Sequence, residues 1–187
     1  MIPNAEEYPE RYQRYIDNVP ETDILSAFRE QFAVTESFLF SLSEEQALLR
    51  YEEDKWSIRE VVGHIIDVER IFSLRVLRFS RGDARHRSDF DFDKTAYVRR
   101  GRYHHRTLMD ISTEFLAQRR ANSIMFESLT PAQLALFGEA NKDRLSVLGL
   151  LYVLLGHERH HLNAIKALYL SNPRVQSAHF PSSTHDA

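Results

Sequence analysis

The chain has no cysteine, only six glycines and six prolines in 187 residues, and no marked excess of charge of either sign. Each absence excludes something. Without cysteine there are no disulfides, no thiolate zinc fingers and no catalytic thiol of the protein's own, a composition that fits a reducing cytoplasm. The longest apolar stretch, residues 145–155, is about half of the ~20 residues needed to cross a bilayer. It runs directly into Gly156-His157-Glu158-Arg159-His160-His161. The first ten residues carry neither a basic region nor an apolar core, so no signal peptide is expected, and no membrane partner. With 24 basic residues against 27 acidic ones, the basic excess typical of phosphate-backbone binders is missing. No nucleic-acid partner is expected.

What is present fits one globular domain: 43% hydrophobic and 27% charged residues, in a chain long enough for a sizeable core. The few glycines and prolines fall between segments rather than inside them, which favours long helices. Residues 23–42 read as a first long helix, with Ile24, Leu25, Phe28, Phe32, Thr35, Phe38 and Leu39 at three- and four-residue spacing. Ser43 to Gln46 form a capping box that opens a short helix. A sharper box, Ser57 with Glu60, starts a helix over 57–80 that Gly82 stops. Its stripe is Ile58, Val61, Ile65, Val68, Phe72 and Val76. A long connection over 82–103 holds a short helical piece near 93–98. Long helices follow over 107–129 and 146–170, with Thr130-Pro131 opening a short one between them. The expectation is an all-α, four-helix bundle of antiparallel type with short accessory helices, the 82–103 connection serving as crossover between helices 2 and 3. Residues 1–22 form an accessory segment packed outside the core, 23–171 the bundle, and 172–187 a tail.

Nine histidines are present. On the last helix Leu150, Leu154, His157, His161, Ala164 and Leu168 make one heptad-like stripe, so two histidines stand in line with core leucines. Beside it runs Val147, Leu151, Leu155, Glu158, Leu162, Ile165 and Tyr169, while His160 points toward water. Imidazoles at i and i+4 share a helix face, the spacing of helix-borne zinc sites. Buried without partners they are costly, and a shared metal would satisfy both. Among the remaining histidines, only His64 falls on an inward-facing stripe, with Val61 and Val68. A lone inward histidine is ordinarily a hydrogen-bonded core residue, and an H-x-x-x-H pair arises by chance in histidine-rich chains. Three on facing stripes point instead to a metal site with positions left for water or substrate. Glu158 and Asp67 are candidates to orient an imidazole; the alternative for either is an ordinary ion pair with an arginine.

Other features carry less. His86, His104 and His105 lie in basic loop sequence, and His179 and His185 in the tail. Asp89, Asp91 and Asp93 mimic the start of a calcium loop, but Lys94 stands where its glycine belongs and Arg100 where its glutamate belongs. Arg99, Arg100, Arg102 and Arg106 read as a solvated basic loop, or as a carboxylate site if they overhang the metal. There is no nucleophile elbow, Walker loop or dinucleotide glycine pattern.

Lys55-Trp56-Ser57-Ile58-Arg59-Glu60-Val61-Val62-Gly63-His64, followed by Glu69-Arg70, resembles the first signature of the DinB-like superfamily. Gly156-His157-Glu158-Arg159-His160-His161 resembles its second, and the likeness spans about residues 23–169. Despite its name, the superfamily is unrelated to the translesion polymerase. The resemblance implies up-down-down-up connectivity and a divalent metal, usually zinc or nickel, on His64, His157 and His161. Homodimers are common among such proteins, and characterised ones use low-molecular-weight thiols as S-transferases or isomerases. Some relatives have glutamate in place of one histidine; here all three are histidine. Two functions are compatible with these features. One is a metal-dependent enzyme acting on a small molecule, with the ion activating an external thiol or water for transfer or hydrolysis. The other is a non-enzymatic metal-binding or stress-response module, whose fourth metal position a protein carboxylate would close.

Overall fold

Side-chain caps decide where the helices begin. The structure, a computed structural model, describes residues 1–83, 92–140, 142–173 and 175. After a single turn, α1 (Gln13–Ile16), come α2 (Ile24–Ser41), α3 (Ile58–Ser80), α4 (Lys94–Gly101), α5 (Leu108–Glu127), α6 (Pro131–Leu134) and α7 (Val147–Ala164). Helix α7 continues through a π-helical turn, Ile165–Leu170. Asp23 caps α2, Thr107 caps α5 and Ser146 caps α7, each side chain accepting from first-turn amides. The Ser57–Glu60 box is reciprocal: Ser57 N donates to Glu60 Oε2 at 2.9 Å, and Glu60 N to Ser57 Oγ at 3.4 Å. At the far end of α3, Gly82 adopts φ 77°. The Asp83 amide there donates to the Arg78 carbonyl and the Gly82 amide to the Phe79 carbonyl, a left-handed stop that glycine takes without strain. Ser43 and Gln46 bond reciprocally as expected, but open only a 3-10 turn, Gln46–Leu48.

Cross-links between helices fix their directions. The start of α2 meets the end of α5 through Arg29 and Glu127, 3.0 Å apart, so these two run antiparallel. Gln133, just after α5, donates to the Ser80 carbonyl at the end of α3, while Tyr103, just before α5, donates to Asp67 of α3. Helices α3 and α5 are therefore parallel, as a long crossover requires. Tyr152 of α7 donates to the Glu21 carbonyl, and Arg159, two turns on, to Gln31 of α2; these helices too run the same way. The result is a four-helix bundle, α2, α3, α5, α7, running up-down-down-up.

One element was not expected: a hairpin of β1 (Phe137–Ala140) and β2 (Asp143–Ser146), antiparallel with Phe137 opposite Ser146. Four-residue strands are too short to display alternation, and the connection has no glycine, although Lys142 sits at φ 67°. Gly138 lies so close to the Phe79 ring that any side chain there would overlap it.

Residues 1–22 pack more intimately than an outer accessory segment. Tyr8, Ile16 and Val19 are buried in the same cluster as the α7 leucines. Two α7 glycines permit this: a Cβ on Gly156 would overlap the Tyr15 carbonyl, and one on Gly149 would lie 2.5 Å from the Glu7 carbonyl oxygen. Gly156→Ala is expected to lower stability by about 1–3 kcal/mol, outweighing the gain of up to about 1 kcal/mol in helix propensity. Urea denaturation checks this; an unchanged or raised midpoint would contradict it.

The core is two apolar clusters rather than one. The first takes Val68 to Phe79 of α3 and the first half of α7; the second takes Ile58 to Ile66 of α3 with Leu162, Ile165 and Tyr169. Between them lies a layer of buried polar side chains: His64, Glu69, Arg119, His157 and Glu158. Among the described residues no helix is long and apolar enough to cross a membrane. His86, Asp89, Asp91, His179, His185 and nearly all of the 172–187 tail lie outside the described residues.

Candidate metal centre

His64 comes from α3, His157 and His161 from one face of α7, and their rings meet in the polar layer. The helix register does this: His157 and His161 are one turn apart, and the antiparallel packing of α3 brings His64 against them. His157 Nε2 lies 3.2 Å from His64 Nε2 and 3.1 Å from His161 Nε2. One ligand atom from each residue falls within 4.8 Å of the others. For metal–nitrogen bonds of about 2.0–2.1 Å, two nitrogens on one ion stand about 2.9–3.4 Å apart, depending on the angle. The observed spacing matches. It is poorly explained by hydrogen bonds alone, because a neutral ring nitrogen is either a donor or an acceptor and His157 Nε2 faces two partners. Three converging lone pairs are what a cation satisfies, so the residues present fit a divalent ion.

Burial holds the imidazoles unprotonated. It pushes His64 down to about 4, helped by the nearby Lys94 ammonium. His161 is pushed down to about 3, by burial first and then by His64, His160, Lys94 and Arg14. His157 falls well below the ordinary histidine value for the same leading reason. All three therefore present neutral nitrogens at neutral pH.

Protein stripped of metal should accordingly be sensitive to acid. Above pH 6.5 neither the folded nor the unfolded chain protonates these rings, and stability is unaffected. Below it the unfolded chain binds protons that the folded chain refuses, so stability falls as pH drops from 6.5 toward 4. At about 1.4 kcal/mol per pH unit, His64 alone accounts for on the order of 3 kcal/mol by pH 4. Guanidinium denaturation at several pH values checks this, and a flat profile across that window would contradict it.

The two carboxylates considered as imidazole partners are engaged elsewhere. Glu158 receives the Thr35 hydroxyl at 2.5 Å and lies 2.6 Å from Arg119 Nη2. Asp67 accepts from the Tyr103 hydroxyl at 2.8 Å. The ion-pair alternative therefore describes Glu158. His64 Nδ1 is buried with no hydrogen-bond partner among the described residues, so no carboxylate holds its outer nitrogen.

The basic cluster does not overhang the centre: Arg99, Arg100 and Arg102 are exposed, and Arg106 pairs with Asp110 and Glu114. His104 and His105 are exposed, their rings tilted against each other with centroids 3.9 Å apart. Other residues surround the three histidines instead. A cavity of about 310 Å³ opens onto the three histidines, walled by Tyr12, Tyr15, Trp56 and Phe72, with Arg14 and Lys94 on its lining. Tyr15 stands edge-on to His157 at 5.3 Å, and Trp56 lies 5.0 Å from His64. His160, expected to face water, is half-buried against Tyr15 and His161 and lines the cavity too. A second cavity, about 340 Å³, shares Trp56, His160 and His161 with the first and extends toward Tyr51 and Tyr169. Periodicity could not find these walls, because most come from loops and from the N-terminal segment. Of Tyr12, Tyr15, Trp56 and Phe72, only Phe72 lies on a helical stripe of the sequence.

A bundle of this connectivity with a three-histidine centre in its middle defines the class. The chain belongs to the DinB superfamily, which matches residues 27–165. Its fold resembles that of YfiT from Bacillus subtilis, described as "a probable metal-dependent hydrolase with an unusual four-helix bundle topology". The likeness has a TM-score of 0.69 at 15% sequence identity and covers 89% of this chain and 90% of that one. No curated protein matches.

Proposed function

We propose that the protein is a metal-dependent enzyme acting on a small molecule, with His64, His157 and His161 holding one divalent ion. The observation that carries this reading is the convergence of three unprotonated imidazole nitrogens, 3.1–3.2 Å between neighbours, at the wall of a cavity. A bound ion supplies a Lewis acid that activates water or an external thiol; zinc and nickel both suit nitrogen ligands. The chain's own residues shape the space for the reactants. Trp56, Tyr12, Tyr15 and Phe72 enclose the substrate and limit water, and the two cavities meeting at Trp56 and His161 offer room for two molecules. That favours transfer of a small thiol onto an electrophile, with hydrolysis as the second reading. The remaining alternative, a closed structural or sensory site, calls for a carboxylate at the fourth position, and Glu158 and Asp67 are otherwise bonded. A homodimer in a reducing cytoplasm completes the proposal.

The test is a rate measurement on zinc- and nickel-loaded protein. Small thiols with an electrophilic acceptor form one arm, and an activated ester without thiol the other. Turnover is expected in at least one arm, lost on chelation and in His161→Ala. Rates unaffected by chelation or by that substitution would overturn the reading.

A further inference from the structure

The charge on the lining of the cavity that opens onto the three histidines is of one sign among the described residues. Its charged residues, among those described, are Arg14 and Lys94, and no carboxylate lines it. In a chain whose formal net charge is −3 this is a local reversal. Neither cation is in an ion pair among the described residues: Arg14 contacts Tyr15, its guanidinium 5.2 Å from the ring centre, and Lys94 is exposed. Asp93, next to Lys94, uses its carboxylate to cap α4 at the Thr95 and Ala96 amides. A divalent ion on neutral histidines would add positive charge with no carboxylate among the described lining residues to offset it. Such a cavity repels cations and favours an anion held at one end against an aromatic body.

We propose that Arg14 and Lys94 select a small organic anion, a carboxylate, whose charged end they hold while its reactive end lies at the three histidines. This rests on the metal-dependent reading above and deepens it by naming the substrate class. The two cations come from separate elements, α1 and the first position of α4. Arg14's place on the lining therefore depends on the docking of residues 1–22 onto α7.

The test is calorimetric titration of zinc-loaded protein with two matched pairs. One is 3-mercaptopropionate against its amide; the other is phenylacetate against phenylacetamide, which has no thiol. The acid is expected to bind about tenfold or more tightly than the amide in each pair, with the difference shrinking at high salt. Arg14→Gln with Lys94→Gln together should bring each ratio close to one, whereas Arg14→Lys with Lys94→Arg should keep it. Equal binding of acid and amide by the unaltered protein would overturn the proposal, as would a preference that survives the double glutamine variant. Repeating the phenylacetate pair on metal-free protein separates the two readings. If the protein takes up no zinc, the metal reading fails, while a surviving acid preference that depends on Arg14 and Lys94 keeps the anion site.

Discussion

Replacing Arg119 with methionine is expected to destabilise the protein by about 3–5 kcal/mol, because it strips the shared counter-ion from two buried carboxylates. Arg119 and Glu69 have 0% exposed side chains and Glu158 has 1%. Arg119 Nε and Nη2 donate to the two Glu69 oxygens at 2.8 and 2.7 Å, and Nη2 also lies 2.6 Å from Glu158 Oε2. Its guanidinium carbon is 5.1 Å from the rings of both Phe28 and Phe115, so little water can replace the lost charge. Burial already pushes the Glu158 carboxyl up against the opposing pull of Arg119 and Thr35. Without the arginine one carboxyl would take up a proton, and the loss should therefore shrink as pH falls from 7 to 5. The combined variant Glu69→Leu, Arg119→Met, Glu158→Leu is expected to recover most of the stability, since no buried charge remains to be paired. Urea denaturation of both variants at the two pH values checks this. A loss below about 1 kcal/mol for Arg119→Met would contradict the account.

The other large effect is on metal affinity. His157 is the middle one of the three proposed ligands, its Nε2 within 3.2 Å of both partners. His157→Ala is expected to weaken binding by more than the 10–100-fold typical of losing an outer hydrogen-bond partner. It should also remove part of the acid sensitivity of the stripped protein, because one ring that refuses protons is gone. Competition against a chromophoric chelator reads the affinity. A variant binding within a few-fold of the unaltered protein would contradict the assignment.

The helices and the convergence of the three histidines were legible in the sequence for the same reason: both obey the helical period. Leu150, Leu154, His157 and His161 form one stripe whether or not the side chain is apolar, and the caps Ser57, Thr107 and Ser146 stand where each helix starts. What escaped has no period. Tyr15, Arg14, Trp56 and Lys94 reach the site from a single-turn helix, a loop and a helix start, and the first two are placed by docking of the N-terminal segment on the bare backbone at Gly156. The helix face that carries His160 points away from the bundle, which by periodicity alone means solvent. Yet the N-terminal segment covers that face, and no helical wheel contains it. Glu158 was visible as an inward carboxylate, but its partner, Arg119, lies on another helix and only three-dimensional packing separates an ion pair from an imidazole support.

Elemental analysis of the purified, untagged protein tests the central claim most directly, beside His64→Ala, His157→Ala, His161→Ala and a His160→Ala control. The account predicts about one divalent ion per chain, lost in the first three variants and kept in the fourth. No metal in the unaltered protein, even after incubation with zinc and nickel under reducing conditions, would contradict it and leave the three histidines as polar packing between two apolar clusters.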